Sequence, residues 1–405
     1  MLNRLWDVVT DPVLGVVTDR LPSRWGRRRH WLAISAPILM ISTYMIFIPP
    51  AEVSGTYLGV WLFILYLGYT LITLSHMSWG TELSSNYNER STIHGIREIA
   101  IILGMLTAIS LPAILEVLPW AKSGEASFGL GEKVAAMGVY VLILLPLCLF
   151  IALWKIGEIR APAPPKIEWN EVYHLLINNR PMRKLLSADL LISIAIGMTG
   201  SLYLYFYSSF LNLGKYSSAL LLFYFLSGCM AVPFWIKLAH KLGKHRTLSI
   251  ACIYSASVLP LILIMPKESL MWGVLSTSLY GIGSGAGPFL ARSMMSDITD
   301  KHNLETGSQR TGLFFAALSL TNKVGGALAV GIAYITLDLI NFVPYDTNSE
   351  EAIFQISVLY VWVPALCLLP IASFMWNYPF SITEQEECRR LIDERDNLNT
   401  DTPLG

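Results

Sequence analysis

Residues 134–155 read VAAMGVYVLILLPLCLFIALWK, an unbroken uncharged run closed by Lys155. As a helix rising about 1.5 Å per residue, such a run crosses the roughly 30 Å apolar core of a bilayer. Comparable runs recur at 30–49, 57–83, 92–117, 184–211, 216–239, 247–265, 270–296, 311–339 and 355–378. Residues 1–19 read as part of one more span, so eleven are expected, one of them short. Only 14% of the 405 residues are charged and 54% are hydrophobic. Soluble domains carry about a quarter charged residues, and a water-facing fold could not hide this much apolar surface. The expected class is an all-α membrane protein, because a helix satisfies every backbone polar group within one lipid-immersed segment.

Charge sets the expected orientation. Arg20, Arg24, Arg27, Arg28 and Arg29 crowd one loop, and Lys237, Lys241, Lys244 and Arg246 crowd another. The 340–354 loop has no Lys or Arg but carries Asp346, Glu350 and Glu351. The excess of Lys and Arg on cytoplasmic loops puts the two basic loops inside. The central link and the C-terminal tail then fall inside too. The expected location is a multi-pass integral protein of the plasma (inner) membrane.

The two basic loops occupy corresponding places in two parts of the chain. Between those parts lies the Pro-rich, charged stretch 156–183. The expected divisions are an N-terminal helical half at 1–155, a linker at 156–183, a C-terminal half at 184–380 and a tail at 381–405. Parallel repeats of this kind occur in major facilitator transporters. The tail reads as a short charged helix, 384–395, with a solvated end.

Composition also excludes several functions. Net charge is zero, so no overall field attracts nucleic acid. Cys148, Cys229, Cys252, Cys367 and Cys388 form no CxxC, and neither a disulfide nor a zinc site is expected. No HExxH, GxSxG or P-loop is present, so neither an enzyme nor a cofactor is expected.

Ionisable residues inside spans are costly and mark function. Asp7 and Asp11 are four apart and share a helix face. Counted from Asp19, they lie about 18 and 12 Å deep. Two such carboxylates repel, so one takes a proton or both share a cation such as Na⁺. The alternative is a structural pair with Arg4. Lys323, about 20 Å deep by the same count from Arg310, contacts substrate, balances the cation site or forms a structural ion pair. Arg97 lies roughly 9 Å into its span and either meets substrate or reaches the interface. Thr70 and Thr73 lie at depths similar to the Asp pair. Tyr203, Tyr205, Phe206 and Tyr207 suit either stacking on sugar rings or an interfacial belt.

Several stretches together resemble one family. Trp6-Asp7-Val8-Val9-Thr10-Asp11-Pro12, then Asp19-Arg20 and Ser23-Arg24-Trp25-Gly26-Arg27, resemble the signature of the glycoside–pentoside–hexuronide:cation symporters. These form the melibiose-permease-like branch of the major facilitator superfamily. Gly80-Thr81-Glu82-Leu83, Tyr87-Asn88-Glu89-Arg90 and Arg97-Glu98 resemble the loop after its fourth helix. Ser296-Asp297-Ile298-Thr299-Asp300, Gln309-Arg310 and Lys323-Val324-Gly325-Gly326 resemble the region between its tenth and eleventh helices.

The resemblance implies a major facilitator fold of two six-helix halves. Here about eleven helices are present and the first is missing, so a truncated chain or misassigned start is expected. It implies cation binding by Asp7, Asp11 and Thr70, and substrate binding by Arg97, Lys323 and Thr73. It further implies a cytoplasmic gate of Arg24, Asp297, Asp300 and Arg310. Thr73 stands where the branch has a sugar-holding aspartate, so the galactoside pattern is incomplete.

The expected function is Na⁺- or H⁺-coupled symport of a sugar or glycoside by alternating access. The expected partners are that small molecule, the coupling cation and the bilayer, with the protein a monomer. Two alternatives remain open: transport of an amphipathic lipid-like solute, or a truncated membrane protein that does not transport.

Overall fold

The structure, a computed structural model, describes residues 2–21, 23–50, 52–84, 86–117, 130–157, 178–308, 310–343 and 348–400. Within these, the side chains at 2–9, 87, 109, 112–117, 130, 393 and 396–400 fall outside the description. The described residues are almost entirely helical, and eight of their helices are long and apolar enough to cross a membrane.

The helices are α1 (Leu2–Arg20), α2 (Arg29–Phe47), α3 (Gly55–Glu82), α4 (Tyr87–Val117) and α5 (Leu130–Lys155). They continue with α6 (Arg180–Tyr205), α7 (Ser217–Leu242), α8 (Lys244–Leu263), α9 (Leu270–Ser284) and α10 (Gly287–Thr306). The last are α11 (Thr311–Leu339), α12 (Glu350–Trp376) and α13 (Ile382–Thr400).

Local signals mark several ends. Ser54 accepts from the Tyr57 amide at the start of α3, and Ser349 from the Ala352 amide at the start of α12. Such caps satisfy amides that have no partner inside the helix. Asn179 caps α6, with Pro181 in the first turn, where its missing N–H costs nothing. Gly307 closes α10 at φ 68°, a left-handed position that favours glycine.

One expected span is interrupted. The run 270–296 divides into α9 and α10 around Gly285–Ala286. Pro288 supplies no amide in the first turn of α10. The glycines of α9 serve close packing instead. A Cβ on Gly281 would stand 2.3 Å from the Tyr224 carbonyl oxygen of α7, and one on Gly285 2.6 Å from that of Gly228.

The chain forms two compact units. The first comprises Met1–Ser84, Ala100–Pro165 and Gln309–Ala316; the second comprises Ser85–Ile99, Lys166–Ser308 and Ala317–Gly405. Two short segments, at the starts of α4 and α11, thus group with the unit opposite to their place in the sequence. In the first unit α2 packs on α3 and α5, and α1 packs on α3. In the second, α12 packs on α6 and α8, while α9 packs on α7.

Within the first unit, α1 and the first turns of α11 touch backbone to backbone. A Cβ on Gly312 would lie 2.7 Å from the Gly15 carbonyl oxygen and 2.8 Å from Asp19 Oδ1. Gly312→Ala is therefore expected to lower stability by about 1–3 kcal/mol, as overpacking does. A thermal unfolding scan of the purified variant reads this, and an unchanged midpoint would contradict the close contact.

The aromatic group at the end of α6 is not an exposed belt. Tyr203, Phe206 and Tyr207 are buried. A π turn over Phe206–Phe210 extends α6, and the Phe206 ring stacks on Tyr360 of α12 at 4.1 Å. Only Tyr205 is partly exposed, edge-on to Phe342.

Candidate functional site

The first unit holds Asp11, Thr70 and Thr73. Asp11 on α1 and Thr70 on α3 are both buried, and these two helices pack together. Thr73 is half-buried one turn further along α3. Asp7 lies on α1, but its side chain falls outside the described residues.

At the basic end of the same unit, four charged side chains form a network. Arg28 donates to Asp19 and to Glu82 Oε1, the latter at 3.0 Å, and also to the Thr18 carbonyl at 3.1 Å. Arg27 donates to the same Glu82 oxygen at 2.7 Å. Burial alone would lower the Arg28 pKa, but the Glu82 and Asp19 carboxylates outweigh it and raise the value. Asp19 also accepts from the Gly312 and Leu313 amides at 2.9 and 3.0 Å. A carboxylate on the first amides of α11 satisfies those donors and complements the positive end of the helix. Arg310 is half-buried just before α11. Arg24 does not join this network; it is exposed in the α1–α2 loop.

The second unit holds Arg97 and Lys323, both half-buried, on α4 and α11. Next to Arg97, Glu98 receives a hydrogen bond from Arg292 of α10. Thr321 donates to Asp189 of α6 at 2.7 Å, and Asn322 donates to Ser193 Oγ at 3.0 Å. These bonds tie the polar face of α11 to α6 immediately before Lys323.

Toward the other end of α10, two buried aspartates have cationic partners. Lys244 Nζ donates to both oxygens of Asp297, at 2.9 and 2.8 Å. Arg90 of α4 grips Asp300 with both terminal nitrogens, one at 3.1 Å. Asp300 also accepts from Gln385 at 3.1 Å and lies 3.6 Å from Arg389, both on α13.

A family model described as MFS/sugar transport protein matches residues 1–382. The chain belongs to this family. The sodium-dependent lysophosphatidylcholine symporter 1-B of Danio rerio is 23% identical over 97% of this chain and 81% of that protein. The glucuronide carrier protein homolog of Escherichia coli (strain K12) is 24% identical over 98% of this chain and 86% of its own. Among solved structures, the E. coli fucose:proton symporter FucP aligns with a TM-score of 0.62 at 11% identity, covering 91% of this chain and 87% of that one. The all-α major facilitator fold and the glycoside–pentoside–hexuronide:cation symporter resemblance therefore hold. The protein is a multi-pass membrane transporter of a symporter family and not an enzyme.

Sequence reasoning about this symporter overlooked several charged residues. Asp189 and Arg292 lie inside the expected spans 184–211 and 270–296, so the cost of a buried charge in lipid should have flagged both. Glu82 and Arg28 sit at span ends, where charge is ordinary, and only the low exposure of their side chains, 6% and 0%, distinguishes them.

The tail also differs from expectation. Ser381 and Glu384 cap α13 reciprocally. The helix then buries Gln385, Cys388 and Ile392 and docks on α10. Burial, reinforced by Asp300, pushes the Cys388 thiol up to about 11, so little thiolate exists at neutral pH. Cys388 is expected to react slowly with a maleimide at pH 7 in the folded protein, and faster after Arg389→Ala plus Gln385→Ala. Peptide mass spectrometry after timed labelling reads the rates; equal rates would mean α13 is not held by these contacts.

Proposed function

We propose that the protein couples Na⁺ or H⁺ entry to uptake of a sugar or glycoside by alternating access. The observation that carries this reading is Asp11, a fully buried carboxylate deep in α1, beside a helix that buries Thr70. A carboxylate at this depth in a span is expensive, and such residues mark ion pathways and proton relays. Asp7, one turn earlier in α1, is the second expected ligand. Arg97 and Lys323 are the proposed contacts to substrate hydroxyls. Asp297 and Asp300, each held by a buried cation, are the proposed gate on the cytoplasmic side, with Arg310 near the start of α11 and Arg24 in the α1–α2 loop.

A second reading, transport of an amphipathic lysolipid, is supported by the Danio rerio relative, whose name states that substrate. Thr73 also supports it, because a hydroxyl in place of a sugar-holding aspartate removes one determinant of a hydrophilic cargo.

Uptake into proteoliposomes decides between these readings. The panel comprises glycosides, a hexuronide and lysophosphatidylcholine, each with a Na⁺ gradient, a proton gradient or none. Accumulation of a glycoside above equilibrium, dependent on one gradient, is the expected result. Gradient-driven uptake of the lysolipid alone would move the assignment to the second reading. Binding of a panel member without flux would indicate a non-transporting protein.

A further inference from the structure

We propose that the first unit carries a binding site for an anionic phospholipid, built from the α1–α2 loop and the end of α5. Ser23 and Gly26 exchange backbone hydrogen bonds of 2.9 and 3.1 Å, closing a tight turn. Gly26 sits at φ 114°, where a side chain would be strained. The turn presents Arg24 and Trp25 at its tip, with Trp25 64% exposed. Arg29, at the start of α2, donates to the Leu153 carbonyl and ties this loop to α5. Between the two lies a cavity of about 670 Å³, lined by Arg24, Trp25, Arg29, Phe150, Leu153 and Trp154 among others. Its described lining contains two guanidinium groups and no carboxylate.

Three features select a lipid over a soluble anion. First, guanidinium groups pair with phosphate through planar, charge-assisted hydrogen bonds, and two here face one cavity. Lys155 adds a third cation, its Nζ held 4.5 Å over the Trp154 ring. Second, Trp25, Phe150 and Trp154 are exposed, the placement of rings at headgroup level. Third, the cavity opens onto lipid-facing surface. Only 6% of the apolar window of α5 is buried. Ile143, Leu147 and Ile151, spaced by four along α5, are 60%, 50% and 49% exposed. They form a ridge leading away from the cavity, along which an acyl chain lies while its phosphate occupies the arginine pair. The absence of a carboxylate from the described lining favours a headgroup without its own cation, such as phosphatidylglycerol, over phosphatidylcholine.

The test is native mass spectrometry of the purified full chain with dioleoyl phosphatidylglycerol or dioleoyl phosphatidylcholine. Preferential retention of phosphatidylglycerol is expected. Arg24→Gln, at an exposed position, is expected to lower that retention about fivefold, the contribution of one cation near an anionic lipid surface. Trp25→Ala is expected to lower it as well. Lys241→Gln, in the other basic loop, is expected to leave it unchanged. Glycerol 3-phosphate, the headgroup chemistry without chains, is expected not to compete. Equal retention by wild type and Arg24→Gln, an equal loss in Lys241→Gln, or full competition by glycerol 3-phosphate would each overturn the proposal.

Discussion

Asp11→Asn is expected to abolish cation-driven accumulation of substrate. The side chain is fully buried in α1, and asparagine has nearly the same shape, so the helix keeps its packing against α3. What disappears is the negative charge. Leaving a buried cation without its carboxylate costs about 3–5 kcal/mol, on the order of a hundredfold or more in apparent cation affinity. In proteoliposomes the variant should lose uphill uptake driven by Na⁺ or H⁺ while substrate exchange at equal ion concentrations survives. Asp7→Asn should behave alike if the two carboxylates share one cation. Undiminished gradient-driven accumulation in Asp11→Asn would remove the residue from the coupling mechanism. Loss of both coupled uptake and exchange, with a lowered unfolding temperature, would assign it a structural role instead.

The second large effect is expected at Arg90 and Asp300. Both side chains are almost fully buried, so removing one partner takes away a close counter-charge from the other in a buried site. The two single variants should nevertheless differ. Arg90→Ala leaves Asp300 with Gln385 and Arg389 of α13. Asp300→Ala removes both hydrogen bonds that Arg90 makes to this carboxylate, and it also removes an anchor of α13. Asp300→Ala is therefore expected to cost about 3–5 kcal/mol, and Arg90→Ala less. The double variant Arg90→Gln/Asp300→Asn should recover part of the loss, because neither neutral amide strands a charge. Thermal unfolding of the three proteins in one detergent ranks them. Equal destabilisation by the two single variants would mean that α13 contributes nothing at Asp300.

These two sites were legible in the sequence to different degrees. Asp11 was visible at once, because a carboxylate twelve or so ångströms into an apolar run has few explanations. Asp297 and Asp300 came from motif resemblance, and their cationic partners did not. Lys244 lies 53 positions from Asp297, and Arg90 lies 210 from Asp300. Such pairing depends on which helices meet, and helix periodicity carries no record of that. Asp189 is a different case. Its position inside an apolar span was informative, and its bond to Thr321 gives it a place in the second unit.

The α1–α2 loop shows the same division. Its cluster of five arginines was plain, and so was the expectation that it faces the cytoplasm. The individual roles were not. Arg27 and Arg28 turn inward to Glu82 and Asp19, whereas Arg24 stays exposed and Arg29 reaches α5. Net charge is a property of composition, but the direction each side chain takes follows from the tight turn at Ser23–Gly26 and from the helices beside it.

What the sequence by itself determined was the solvent of this protein and the helical class of its spans, because both follow from apolar sequence measured against a bilayer. It also identified the deep carboxylate at Asp11, since desolvation penalises a charge wherever lipid or packed protein surrounds it. The tertiary structure alone decided which charges neutralise one another, which segments of α4 and α11 group with which unit, and that the tail docks on α10. Those outcomes depend on contacts between residues far apart in the chain, where close approach is set by glycines such as Gly312 and Gly285.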